Sequence, residues 1–193
     1  YSPEQKRLVG PIVNIFQGTE LGKTEGPHLY KCHGYYYLMT AEGGTGLGHA
    51  VTMARSKQLT GPYEVDPENP ILTTRDDPDY PLQRAGHGSL VQTQNGEWYL
   101  AHLCGRPLPG KGRCILGRET CLQKMVWTDD LWLRLANGGR KPQLQVSAPG
   151  LPEHPWDLEP VRDDFDSPQL NINFQTLRVP LGEDSLSLTE RKG

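Results

Sequence analysis

Two aromatic hairpins recur in this 193-residue chain at a spacing of 62 residues, and that repeat leaves few folds open. In the first, His28–Lys31 meets the turn Cys32-His33-Gly34 and returns as Tyr35-Tyr36-Tyr37-Leu38-Met39-Thr40-Ala41. In the second, Gly86–Thr93 meets Gln94-Asn95-Gly96-Glu97 and returns as Trp98-Tyr99-Leu100-Ala101-His102. Strand-forming residues around a glycine turn, with Asn-Gly in the second copy, are hairpin chemistry. At this spacing Gly26 falls on Gly88, Leu29 on Val91, Gly34 on Gly96, Tyr36 on Trp98 and Tyr37-Leu38 on Tyr99-Leu100. A third strand follows each hairpin, His49–Ser56 and Thr120–Trp127, where the spacing grows to about 72. An outer strand is expected after each, within Leu59–Glu64 and at Leu131–Leu135. Four strands with aromatics on the second are the plan of a β-propeller blade. A further strand is expected at Ile12–Phe16, between Gly10 and Gly18.

Composition agrees with an all-β chain of short strands. Twenty-two glycines and 17 prolines are too many turn-formers for a helical protein. The net charge of -3 gives no basic footprint for nucleic acid. A mean hydropathy of -0.61 and the lack of a long apolar run exclude a membrane-spanning helix. Tyr1-Ser2-Pro3-Glu4 has no signal-peptide character, and a cytoplasmic location, bacterial or fungal, is expected. The cysteines, Cys32, Cys104, Cys114 and Cys121, form neither a CxxC pair nor a zinc spacing. Free thiols are expected, with a Cys104–Cys114 bridge as the open alternative.

The repeat singles out two ionisable residues. Glu25, in Thr24-Glu25-Gly26-Pro27, falls on His87 in the second unit. Alone, Glu25 reads as a polar loop residue and His87 as a structural histidine. At the entry of the first strand of a blade, which lines the central channel, both are expected to face one axial cavity. The glycine-rich stretch Glu42–Gly48 is not a phosphate loop, because no Gly-Lys-Ser/Thr closes it.

Residues 1–135 thus read as a partial propeller: about two blades and the end of a preceding one. Residues 136–162, with Pro142, Pro149, Pro152, Pro155 and Pro160, read as a linker. Residues 163–193 read as the start of a second domain, with a strand at Asn173–Val179. Two blades cannot close a ring, so the chain is expected to need the rest of the propeller or another chain, a second copy included.

Particular motifs resemble glycoside hydrolase family 43, in its β-xylosidase branch. They are Lys23-Thr24-Glu25-Gly26-Pro27-His28-Leu29-Tyr30, Thr40-Ala41-Glu42-Gly43-Gly44, Gly61-Pro62-Tyr63, Gly86-His87-Gly88-Ser89-Leu90-Val91, Leu116-Gly117-Arg118-Glu119-Thr120, Asp163-Asp164-Phe165-Asp166-Ser167-Pro168 and Asn173-Phe174-Gln175-Thr176-Leu177-Arg178. The resemblance implies a five-bladed β-propeller followed by a C-terminal β-sandwich, of which this chain holds later blades and the first sandwich strands. It implies an inverting glycosidase that cuts xylose, and also arabinofuranose, from short xylo-oligosaccharides or aryl pentosides. Glu25 matches the general acid and His87 the axial histidine. Arg118 matches an arginine that reaches substrate hydroxyls, and Thr45 a position lining the sugar pocket. No cofactor is required, though the resemblance allows a calcium in the propeller axis near His87.

Inversion needs a protonated carboxyl and an ionised one about 6.5–9.5 Å apart, with water between base and sugar. The resemblance puts the base, and an aspartate that tunes the acid, in earlier blades. Asp76, Asp77 and Asp79 fall between blades and Asp129 and Asp130 in an outer turn, so none is expected to replace the base. The loop Cys104–Ile115 is short for this family, and the isolated chain is expected to show little or no activity.

Overall fold

The computed structural model describes residues 1–182 and 184–190, and its regular structure is entirely β. One antiparallel sheet holds β1 (Glu25–Cys32), β2 (Tyr35–Glu42), β3 (Ala50–Ser56) and β4 (Glu64–Val65) in that order, with β5 (Leu72–Thr73) also pairing with β3. The other holds β6 (Gln83–Gln92), β7 (Trp98–Gly105), β8 (Glu119–Trp127) and β9 (Leu133–Leu135) in order. β1–β4 in the five-stranded sheet and β6–β9 in the four-stranded one each run as a meander, the blade of a partial propeller. The first hairpin turns on His33-Gly34, at φ 49° and 72°. A two-residue turn with both φ positive matches the right-handed twist of the strands it joins.

Pairing corrects the register of the repeat. Tyr30 lies opposite Tyr37, and Val91 opposite Tyr99. The second strands are thus offset by 62 (37 to 99) but the first strands by 61 (30 to 91). The second hairpin carries one more residue in its turn, which the sequence alignment absorbed as a shift along the strand. Gly26 is therefore equivalent to His87, not Gly88, and Glu25 to Gly86. The third strands pair Tyr36 with Ser56 and Trp98 with Met125, an offset of 69 (56 to 125) rather than about 72.

Three strand expectations change. Ile12–Phe16 forms no ladder; the Asn14 side chain instead accepts the Phe16 N–H at 3.2 Å. Leu59 and Thr60 lie in a turn, and of the expected outer strand only Glu64 pairs, together with Val65 just beyond it. Asn173–Val179 also forms no strand: the Asn171 side chain and carbonyl accept the N–H groups of Asn173 and Phe174 and close a turn. A strand persists only through a partner, and among the described residues after Pro152 there is no ladder.

β1 alternates exposed and half-buried side chains, whereas β2 and β3 are buried almost throughout. Their burial comes from stacking the second sheet on the first. Tyr37, Met39, Val51 and Met53 join Leu90, Leu100, Met125, Trp132, Leu133 and Leu135 in one core. Each such side chain contributes roughly 1.5–3 kcal/mol. Polar ties cross the same seam: the Leu90 N–H donates to Tyr30 Oη at 2.8 Å, and Tyr37 Oη donates to the Leu131 carbonyl at 2.7 Å. Arg134 forks onto the buried Asp66 carboxylate at 2.6 and 2.9 Å.

The chain splits into compact units, Tyr1–Leu151 and Pro152–Gly193. The end of the first unit is strapped to its sheet by side-chain bonds. The Gln123 amide donates to the Gln143 carbonyl at 3.0 Å and accepts its N–H at 2.8 Å, as a backbone partner would. Tyr80 Oη and Tyr99 Oη donate to the carbonyls of Pro142 and Ser147. The Gly150 N–H donates to Glu97.

Candidate active site

An antiparallel meander gathers alternate connections at one end. Glu25 starts β1, Thr45 lies between β2 and β3, His87 lies early in β6, and Arg118 immediately precedes β8. The two sheets bring Glu25 and His87 together through glycine. A Cβ on Gly26 would lie 2.5 Å from His87 Nε2 and 2.8 Å from Cε1, so the imidazole occupies the room of a side chain there. The exchange is reciprocal: a Cβ on Gly86 would lie 2.2 Å from His49 Cδ2. Each sheet lends an imidazole to a glycine of the other.

Bulges aim these residues. Glu25 faces Ala41 and His28 faces Met39, leaving one extra residue on β1; Gly86 faces Leu103 and Ser89 faces Ala101, leaving one on β6. Gly26 at φ 55° and His87 at φ 54° occupy matched places in the two bulges. For histidine that conformation is strained, and such strain gathers where a side chain must be aimed.

Buried Glu42 anchors the segment before Glu25. Its carboxylate accepts the Thr19 N–H at 3.0 Å, the Thr19 hydroxyl, and the Thr24 hydroxyl at 3.1 Å. The Gly43 N–H donates to the Gly22 carbonyl at 2.9 Å, joining that segment to the glycine-rich loop. His49 holds the loop from the other side. Its Nδ1–H donates to the Gly44 carbonyl at 2.7 Å, so Nε2 carries the lone pair, buried and without a partner. Burial pushes the His49 pKa below the ordinary 6.5; the Gly44 carbonyl opposes this, the charges of Arg118 and His87 reinforce it, and Glu25 opposes it. His49 is thus the buried group that senses three of the four expected site residues. Sequence reading missed it and Glu42, since a histidine after a loop and an acid ending a strand carry no signal of their own.

Glu25 is exposed at an open cavity of about 410 Å³ lined by Asn14, Phe16, Thr24, Pro27, Leu38 and Thr40 among others. Thr45 and Arg118 are exposed, and His87 is half-buried. Among the described residues no hydrogen bond joins Glu25, Thr45, His87 and Arg118 to one another. Two of the other acids considered are engaged elsewhere. Asp77 bonds Lys141 at 2.5 Å, and Asp130 accepts from Thr128 at 2.5 Å. The cavity offers one carboxyl group and room for a small ligand, but Thr45, His87 and Arg118 are not among the residues that line it, so the expected sharing of one cavity by Glu25 and His87 is not seen. Among the described residues no group of three or more His, Cys, Asp or Glu side chains is placed to hold a metal ion.

Comparison with known proteins places these features in a family. The profile described as "Glycosyl hydrolases family 43" matches residues 1–133, and "Beta xylosidase C-terminal Concanavalin A-like domain" matches residues 162–193. A xylan 1,3-beta-xylosidase of Vibrio sp is 52% identical, covering 100% of this chain and 38% of that protein. A beta-xylosidase of Bacillus subtilis is 49% identical over 98% of this chain and 37% of its own length. The crystal structure of xylan beta-1,4-xylosidase from Bacillus halodurans superposes with a TM-score of 0.87 at 59% identity, over 99% of this chain and 36% of that one. The chain spans little more than a third of the length of these relatives.

Proposed function

This chain belongs to glycosyl hydrolase family 43, and we propose that it supplies the proton-donating part of an inverting β-xylosidase that releases pentose units from xylo-oligosaccharides. Glu25 is the general acid, protonating the leaving glycosidic oxygen. His87 fixes the floor beside it, and Arg118 and Thr45 bind sugar hydroxyls. Arginine suits that task, offering a planar donor fork that does not titrate. The observation that carries this reading is the seating of His87 on Gly26, the residue next to Glu25, whose carboxyl is the one acidic side chain among the described residues lining the cavity. Names among the relatives support a pentoside substrate and extend it to arabinofuranosides, since one at 41% identity is a non-reducing end alpha-L-arabinofuranosidase of Bacteroides ovatus.

The base that activates water is to come from the remainder of the propeller, as is the surface that covers exposed Glu25. A reading as an assembly piece follows from the same share of length, 36–38% of the relatives. Both readings are tested by assaying the chain alone and after refolding with the N-terminal part of the Bacillus subtilis relative. The lone chain is expected to be nearly inactive and the mixture active. With xylobiose, Glu25→Gln should lower the mixture's rate by roughly 10²–10⁴. The loss should be smaller with nitrophenyl xyloside, whose phenolate leaves with little help from a proton. Equal rates for the two forms on xylobiose would remove Glu25 from the mechanism; hydrolysis by the lone chain would remove the need for an external base.

A further inference from the structure

Three of the four cysteines lie at the end of the second sheet that carries Arg118, and two of them face each other. Cys104 sits near the end of β7 opposite Glu119, and Cys121 near the start of β8 opposite His102. They are diagonal neighbours on one face of the sheet, and their sulfurs approach to 2.8 Å. Cys104 is fully buried, while Cys121 is half-exposed at a cleft of about 530 Å³ that also holds Arg106, Glu119 and Leu144. Cys114 lies apart, against the Cα of Gly105, with its sulfur 2.9 Å from where a Cβ there would stand. The alternative left open by the sequence, Cys104 with Cys114, therefore gives way to a different partner.

We propose that Cys104 and Cys121 form a dithiol site that exchanges with low-molecular-weight disulfides and closes to an intramolecular disulfide. Both thiols line the cleft, and Cys121 attacks first because it is the one with solvent exposure, whereas Cys104 is fully buried. Its thiolate displaces one half of the small disulfide as a thiolate, which removes the Cys104 proton. Cys104 then attacks Cys121 Sγ and displaces the second half, which takes a proton from solvent. The protein loses two electrons and two protons, and the small disulfide becomes two thiols. The surroundings divide the roles. Donation from the Cys104 S–H and, more weakly, the Arg106 guanidinium draw the Cys121 thiol below its ordinary value, against burial and the Glu119 charge. Donation to Cys121 and burial push Cys104 up, leaving it the resolving thiol. The bond would tie together the strand ends at the base of the loop that ends in Arg118.

The test uses the full chain in glutathione buffers of increasing oxidised fraction, with acid quench, alkylation and peptide mapping. Cys104 and Cys121 should be lost to alkylation together and recovered as one cross-linked pair, with Cys32 and Cys114 still reduced. Cys104→Ser should leave Cys121 carrying a single unresolved glutathione. Independently of any substitution, limiting iodoacetamide at neutral pH should label Cys121 at least roughly tenfold faster than Cys32, as its larger thiolate fraction requires. A Cys104–Cys114 link, glutathione on Cys32 or Cys114 before Cys121, or equal labelling of Cys32 and Cys121 would each overturn the proposal.

Discussion

At the residue scale, the site is held by side chains that fill glycine vacancies and by buried polar groups. Gly86→Ala would drive a methyl into His49 and should cost about 1–3 kcal/mol, read as a lower urea midpoint. Asp66→Ala would strip the buried partner from Arg134, with exposed Glu68 as its remaining carboxylate at 3.3 Å. The expected loss is roughly 3 kcal/mol; a midpoint unchanged from wild type would show that the fork adds nothing. His49 and His102 are both pushed below 6.5, chiefly by burial. The folded chain therefore keeps them neutral while the unfolded chain takes up protons. Stability is whole above the unfolded pKa and falls as pH drops from about 6.5 toward the depressed folded values. A urea midpoint that is flat across that window would contradict the burial argument, and His102→Gln should shrink the decline. The places of Glu25 and His87 were marked in the sequence by a repeat, although strand pairing shows that the two positions are not equivalent. His49 and Glu42 were not legible, because their importance lies in contacts from elsewhere in the chain.

At the element scale, turn chemistry and aromatic spacing were enough to find both hairpins. The one-residue difference between their turns was invisible until pairing was known, so the expected match of Glu25 with His87 moved to Gly26. Bulges were equally hidden, since a bulge is defined by its partner strand. Ile12–Phe16 shows the converse, an apolar run with strand composition that lacks a ladder. The strap over the second sheet depends on Gln123 acting as a surrogate backbone. Gln123→Ala should raise hydrogen exchange at the Gln143 amide while leaving the amides of β7 protected. Unchanged exchange at Gln143 would mean the strap is held by its tyrosine contacts instead.

At the scale of the whole molecule, the chain presents apolar surface around β1. Ile12, Val13 and Leu29 are 103%, 52% and 44% exposed. Such a surface seeks cover, so sedimentation of the isolated chain should show species above 21.6 kDa that grow with concentration. Addition of the complementary part of a relative should replace them with a defined complex. A single monomeric boundary at all concentrations would argue that the β1 flank is stable in water.

The crossed exchange of imidazoles between the two sheets would also count against a wrong pairing of sheets during assembly. Sheets so alike in plan could stack in the wrong pairing, like on like, when copies of the chain crowd together. Two first sheets would then bring together two His49 rings with no Gly86 to receive either. The mismatch would penalise the wrong partner before any substrate arrived, and the fold would discriminate against its own near-duplicate.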